Sequence, residues 1–236
     1  SWYLRLMHKE ATLNRAETLK CVRLHHLTFS LSSLFWSSGV PGFKGTWSAG
    51  EYGYHNGSGD HFGFRWDETT LVGLVFFHES RRSQWNVERE ARDPYLHLGE
   101  FSTDARRLAD TALSEGFMSE RLVTAGFYAD DQQAYMNESW PEGEWHGYRA
   151  FDRFRLTPRE AMLGQNGQNW WELSSVSESQ SEMLIEVSEA YDGAPMTLTP
   201  RQRELLLAPI EGRGYADAEL ASVTAAFSAA GVHGLS

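Results

Sequence analysis

Cys21 is the only cysteine in 236 residues. No intramolecular disulfide can form, and no zinc cage of several thiolates can be built within one chain. A reducing, cytoplasmic setting is therefore expected. Cys21 stands among Leu19, Val22 and Leu24, where a thiol serves as a small buried hydrophobe. No run of about 18 apolar residues occurs, so no membrane-spanning helix is expected. Leu24 to Trp36 is the one apolar run that follows basic residues, Lys20 and Arg23. His25, His26, Thr28, Ser30, Ser32 and Ser33 interrupt it, and it begins too far along the chain to read as a signal segment.

Positive charge is also scarce. There are 21 basic against 32 acidic residues, a net charge of −11. Phosphate repels such a chain, which argues against general nucleic-acid binding and against an anionic membrane surface. Lysine occurs only as Lys9, Lys20 and Lys44, and the bias toward arginine points to a bacterial source. Neither a Gly-x-x-x-x-Gly-Lys-Ser/Thr phosphate loop nor a Gly-x-Gly-x-x-Gly dinucleotide fingerprint is present, and no motif implies a cofactor. There is no Gly-x-Ser-x-Gly elbow for a nucleophilic serine.

Aromatic residues are plentiful at 13%, within a hydrophobic content of 41%. That supplies a core and predicts a folded chain. The clearest pattern runs from Gly45 to Ser80. Two aromatic-rich runs flank Asn56-Gly57-Ser58-Gly59-Asp60, and a third apolar run, Leu71 to Phe77, follows a polar turn at Asp67 to Thr70. This predicts three consecutive antiparallel strands, a β-meander.

Elsewhere, Leu24, Leu27, Leu31 and Leu34 recur at helical spacing, so residues 10 to 36 are read as helix. Leu27, Phe29 and Leu31 alternate as a strand would. Ser80 to Pro94 is charged, either a solvated helix or a surface connection. Ser102 to Asp104 can cap a helix carrying Ala105, Leu108, Ala109, Ala112 and Leu113 on one face, ended by Gly116. A second short helix is expected near Ser119. Tyr148 to Leu156 alternates and is read in part as strand. Thr157-Pro-Arg-Glu160 predicts a capped helix start. Trp170 to Ser177 and Glu182 to Glu189 are read as paired strands. The helical alternative for the second places Met183, Leu184, Val187 and Tyr191 on one face. Helices are expected from Thr199-Pro200 onward and from about Ala216 to Ala230. The architecture expected is α+β, a mostly antiparallel sheet with helices on one side. A single domain over 1–236 is the first expectation, and a subdivision near 95–120 is the alternative.

The phrase Leu198-Thr-Pro-Arg-Gln-Arg-Glu-Leu-Leu, with Gly212 and Asp217-Ala-Glu-Leu-Ala221, resembles the opening of the LuxR-type helix-turn-helix over some 24 residues. The family's fold implies a recognition helix, yet nothing after Arg213 is Lys or Arg, and Ser222 to Ala230 is rich in Ala. Base and phosphate contacts need those donors, so the likeness is one of helix-start chemistry.

Two functional expectations remain. Between Leu122 and Pro200 thirteen acids face four bases, a net −9. Aromatics are interleaved with those acids. Tyr135, Trp140, Glu142, Glu144, Trp145, Tyr148, Trp170, Trp171 and Glu172 form the candidate partner-binding set, suited to a basic protein. The concrete version is a non-enzymatic immunity- or antitoxin-type protein. The alternative is a metal-assisted hydrolase or isomerase using His55, Asp60, His61, His78 and Glu79, residue types that suit zinc or iron. His78, Glu79 and Ser80 are adjacent, so they cannot form a catalytic triad among themselves along a strand.

Overall fold

The structure is a computed structural model and describes residues 13–35, 43–138, 142, 144–163, 176–211 and 217–236. The fold is α+β. In chain order its elements are α1 (Arg15–Ser32), β1 (Phe43–Ser48), β2 (Glu51–Asn56), β3 (His61–Trp66), β4 (Leu71–Phe76), α2 (Thr103–Ser114), β5 (Ala125–Ala129), β6 (Ala134–Met136), α3 (Pro158–Leu163), α4 (Glu178–Glu189), β7 (Met196–Thr197), α5 (Pro200–Glu211), α6 (Asp217–Ala229) and β8 (Val232–His233). The chain divides into two compact units. One comprises Ser1–Thr18 with Gly59–Leu156, the other Leu19–Ser58 with Thr157–Ser236.

In the first unit β3, β4, β5 and β6 pair antiparallel in sequence order. β4, Leu-Val-Gly-Leu-Val-Phe, is buried along its whole length, so both of its faces are covered. Val72, Leu74 and Phe76 pack against Ala105, Leu108, Ala109, Ala112 and Leu113 of α2, the stripe its spacing predicts. Ser102 caps that helix by accepting from the Ala105 N–H. The opposite face carries Phe62, Phe64 and Phe127, joined edge-to-face by Phe151 and Phe154. Gly73 makes room for them: a Cβ there would lie 2.6 Å from the Phe127 ring.

Phe151 and Phe154 lie in a 3-10 helix, Tyr148–Arg155, where a strand was expected. A three-residue spacing aligns side chains on one face of a 3-10 helix, and that face meets the sheet. The short helix expected near Ser119 is instead a series of turns leading to β5. The charged stretch 80–94 is a surface connection with one 3-10 turn, Arg89–Ala91. The 45–80 region holds four strands rather than three, because Ala49-Gly50 folds the first run into the β1–β2 hairpin. Asp67 shapes the β3–β4 turn by accepting from the Thr69 and Thr70 N–H groups.

α1, which belongs to the second unit from Leu19 onward, is helical, as its leucine spacing predicts, and Asn14 caps it by accepting from the Glu17 N–H. Nearly every residue from Thr18 to Ser32 is buried, polar ones included. His25 Nδ1 meets the Tyr52 hydroxyl at 2.7 Å, and Phe29 packs edge-on to Tyr54. The segment 182–189, expected as strand, lies in α4. Ser177 and Gln180 form a capping box at its start, and Met183, Leu184 and Val187 are buried on the helical alternative's face. Residues 164–175, which hold most of the strand expected over 170–177, lie outside the described residues. Thr157 with Glu160 and Thr199 with Gln202 form the two helix starts predicted from their shared Thr-Pro-Arg phrase. β7 and β8 add a short parallel pair.

Arg23 on α1 is fully buried. Its guanidinium donates to the carbonyls of Val187, Ala230 and Gly231, at the C-terminal ends of α4 and α6, and lies 4.3 Å from the Tyr191 ring centroid. The Val187 and Ala230 carbonyls lack helical donors and carry the negative end of the helix dipole, while that of Gly231 also accepts from the Met196 N–H. Burial lowers the Arg23 pKa to about 10, which leaves it charged at neutral pH. His26 donates from Nε2 to the Ala226 carbonyl at 3.0 Å and packs against Trp47 and Tyr52. Burial lowers its pKa to about 4.

Two outcomes follow from these residues. Arg23→Met leaves the buried Val187 and Ala230 carbonyls without their donor, and urea unfolding should show a loss on the order of 3 kcal/mol. Because the folded pKa of His26 lies below the unfolded 6.5, the unfolded state takes up more protons as pH falls. Stability from this group is full above pH 6.5, is lost between pH 6.5 and 4, and totals about 3 kcal/mol. His26→Gln, which retains a donor for Ala226, should flatten that part of the pH profile.

Candidate functional site

The five meander residues of the metal alternative do not converge. His78 and Asp60 do meet: Asp60 Oδ1 accepts from the His78 backbone N–H at 2.9 Å and lies 2.6 Å from its Nδ1. Glu79 lies 4.0 Å from His78 Nε2. His61 turns instead against the Phe76 and Phe117 rings. His55 belongs to the second unit and accepts from the Gly57 N–H within its own turn. Among the described residues no group of three or more His, Cys, Asp or Glu side chains is placed to hold a metal ion.

The structure assembles a different cluster in the first unit, from four separate stretches of chain. β4 ends at Phe76, and the turn after it is closed by the Ser80 N–H donating to the Phe77 carbonyl. On this turn His78 and Ser80 take different partners. Ser80 Oγ lies 2.9 Å from His146 Nδ1, across 66 positions of sequence, and accepts from the Arg82 N–H at 3.1 Å. Thr124, just before β5, donates its hydroxyl to the His146 carbonyl at 2.6 Å. Arg82 forms a bidentate pair with Glu138 at 2.6 and 2.7 Å. Both side chains are mostly buried, which makes the pair geometrically specific.

Two histidines share this cluster. Burial and the Arg82 charge lower the pKa of both His97 and His146. Both are therefore neutral imidazoles at neutral pH. A serine beside a histidine suggests nucleophilic chemistry, but Ser80 is only 6% exposed, and its hydroxyl both accepts from Arg82 and meets His146. The contact positions a turn; it does not present a nucleophile.

What the cluster presents is Trp145. The 3-10 turn Glu144–His146 carries it, and the indole is 74% exposed. Gly147 follows with φ +120° and sits so close to β4 that a Cβ would lie 2.7 Å from Val75 Cγ1. The turn is thus held by Ser80, by Thr124 and by its packing on the sheet. Trp85 at 62% and Leu96 at 60% are also exposed in this unit. The segments bearing them are tied together by Gln84, which donates to the Asp93 carbonyl and accepts from the Asp93 N–H.

Of the partner-binding set, Glu142 is exposed and Glu144 half-exposed beside Trp145. Tyr135 on β6 stacks on Tyr128 with centroids 4.7 Å apart. Tyr148 begins the 3-10 helix that follows Gly147. Trp140, Trp170, Trp171 and Glu172 lie outside the described residues. The acid-rich stretch is itself divided: residues up to Asp152 belong to the first unit and those from Glu160 to the second. Several of its acids are already engaged, Glu138 by Arg82, Asp131 by Arg15 and Glu182 by Arg159. Arg82, His97, Thr124, Glu138 and His146 carry no local sequence signal, since each meets its partners only through the fold.

Glu138→Gln removes the charge facing Arg82 and should lower stability by about 2 kcal/mol in thermal or urea unfolding. The double variant Glu138→Gln with Arg82→Met should recover part of that loss, since no buried cation then faces a neutral side chain.

Compared with protein-family models, with curated proteins and with solved structures, the chain matches none of them.

Proposed function

We propose that the chain is a non-catalytic protein-binding module whose partner face is centred on Trp145 in the first unit. The observation that carries this reading is a large aromatic side chain, exposed yet mounted on a turn held by Ser80, Thr124 and Gly147. A rigid exposed tryptophan gives large contact area with little ordering cost on binding, which is the character of an interface hot spot. Glu142 and Glu144 beside it favour a basic partner and steer its approach. Neutralising a basic toxin, as an immunity or antitoxin protein does, is the concrete form of this function.

The test is capture of a basic protein by the tagged chain at low and high salt, followed by titration of the recovered partner. Trp145→Ala should weaken binding about 30-fold, the scale of a central hot spot. Glu142→Lys with Glu144→Lys should slow association and reduce its salt dependence. Unchanged affinity in both variants would remove this face from the interaction.

A further inference from the structure

The Trp145 turn is held through a hydrogen bond whose acceptor can be titrated. Ser80 Oγ already accepts from the Arg82 N–H. Its own proton has one acceptor among the described residues, His146 Nδ1 at 2.9 Å. Pairing that proton requires an imidazole with a bare Nδ1 and its own proton on Nε2. We propose that Trp145 is a proton-gated anchor: unprotonated His146 holds the 144–146 turn against Ser80, and protonation of His146 releases it. The proposal rests on Trp145 being the partner-binding residue and adds the regulation of that face.

The surroundings decide the direction. A protonated imidazole keeps the contact only by donating to Ser80 Oγ. That strands the hydroxyl proton of a buried serine and places a new cation near Arg82 and Arg81. The other charged or titratable groups acting on the cluster are Glu138, already bound to Arg82, His97, and Asp93 near His97. His97 gains positive charge in the same direction of pH, so acid adds up to two charges around one committed carboxylate. The Thr124 bond to the His146 carbonyl and the packing of Gly147 on Val75 do not titrate, and both hold the backbone only at the C-terminal end of the turn. The burial and arginine charge that keep His146 neutral place the release below the ordinary histidine value of 6.5.

The test needs no partner. The His146 ring signal and the Trp145 indole N–H signal, assigned by Trp145→Phe, are followed by NMR from pH 7.5 to 5 in the whole chain. The expected result is one shared midpoint below 6.5 for both signals. In His146→Asn the amide oxygen replaces Nδ1 as acceptor without titrating, and the indole signal should stay constant. In Ser80→Ala the indole signal should stand near its acid position already at pH 7.5. An indole signal that stays put while His146 titrates, or that moves equally in His146→Asn, overturns the gate. Loss of partner binding in Trp145→Ala is read separately, so failure of the gate and failure of the binding role are distinct results.

Discussion

A buried guanidinium must be met by oxygen on every side, and the second unit is built around that requirement at Arg23. Among the described residues no carboxylate hydrogen-bonds it. Three main-chain carbonyls do, where α4 and α6 run out of their own donors. The arrangement solves two problems together. It satisfies helix ends that would otherwise be buried unpaired, and it compensates a charge that desolvation disfavours. It also sets positions, because a planar donor reaching three carbonyls tolerates little displacement of α1 against either helix end. Two polar residues near it on α1 also bond to main-chain oxygens: His26 meets Ala226, and Ser30 donates to the His26 carbonyl.

The first unit uses an arginine differently. Arg82 pairs with a carboxylate, and the pair underlies a network joining the turn after β4, the start of β5, the end of β6 and the Trp145 turn. The sheet supplies the fixed frame, since β4 is covered on both faces. The network carries that rigidity outward to residues that are not in regular structure. An exposed tryptophan on a held turn has less conformational freedom to lose in any contact than one on a loose loop.

Helix starts were the most legible features. Ser102, Thr157 and Thr199 act within three residues of themselves, so local chemistry is enough to find them. The α2 stripe was legible for the same reason. Readings that relied on alternation were weaker. Residues 148–155 and 182–189 alternate in sequence but are helical, because the spacing of Phe151 with Phe154 and the Ser177 capping box outweigh alternation. The α1 region sent mixed signals because the helix is buried nearly all round, which leaves no polar face to mark its period.

For the candidate site, the sequence singled out Glu142, Glu144 and Trp145 by composition, and it singled out Ser80 within His-Glu-Ser without its partner. Composition and local periodicity determined the α+β class, the single buried thiol and the absence of a long apolar helix among the described residues. Tertiary structure alone decided that Arg23 would close two helix ends, that Arg82 would find Glu138 and that Ser80 would find His146. Those partners lie 56 to 208 positions apart. Hydrogen bonds act over about 3 Å, so only the folded path of the chain selects which distant donor and acceptor meet.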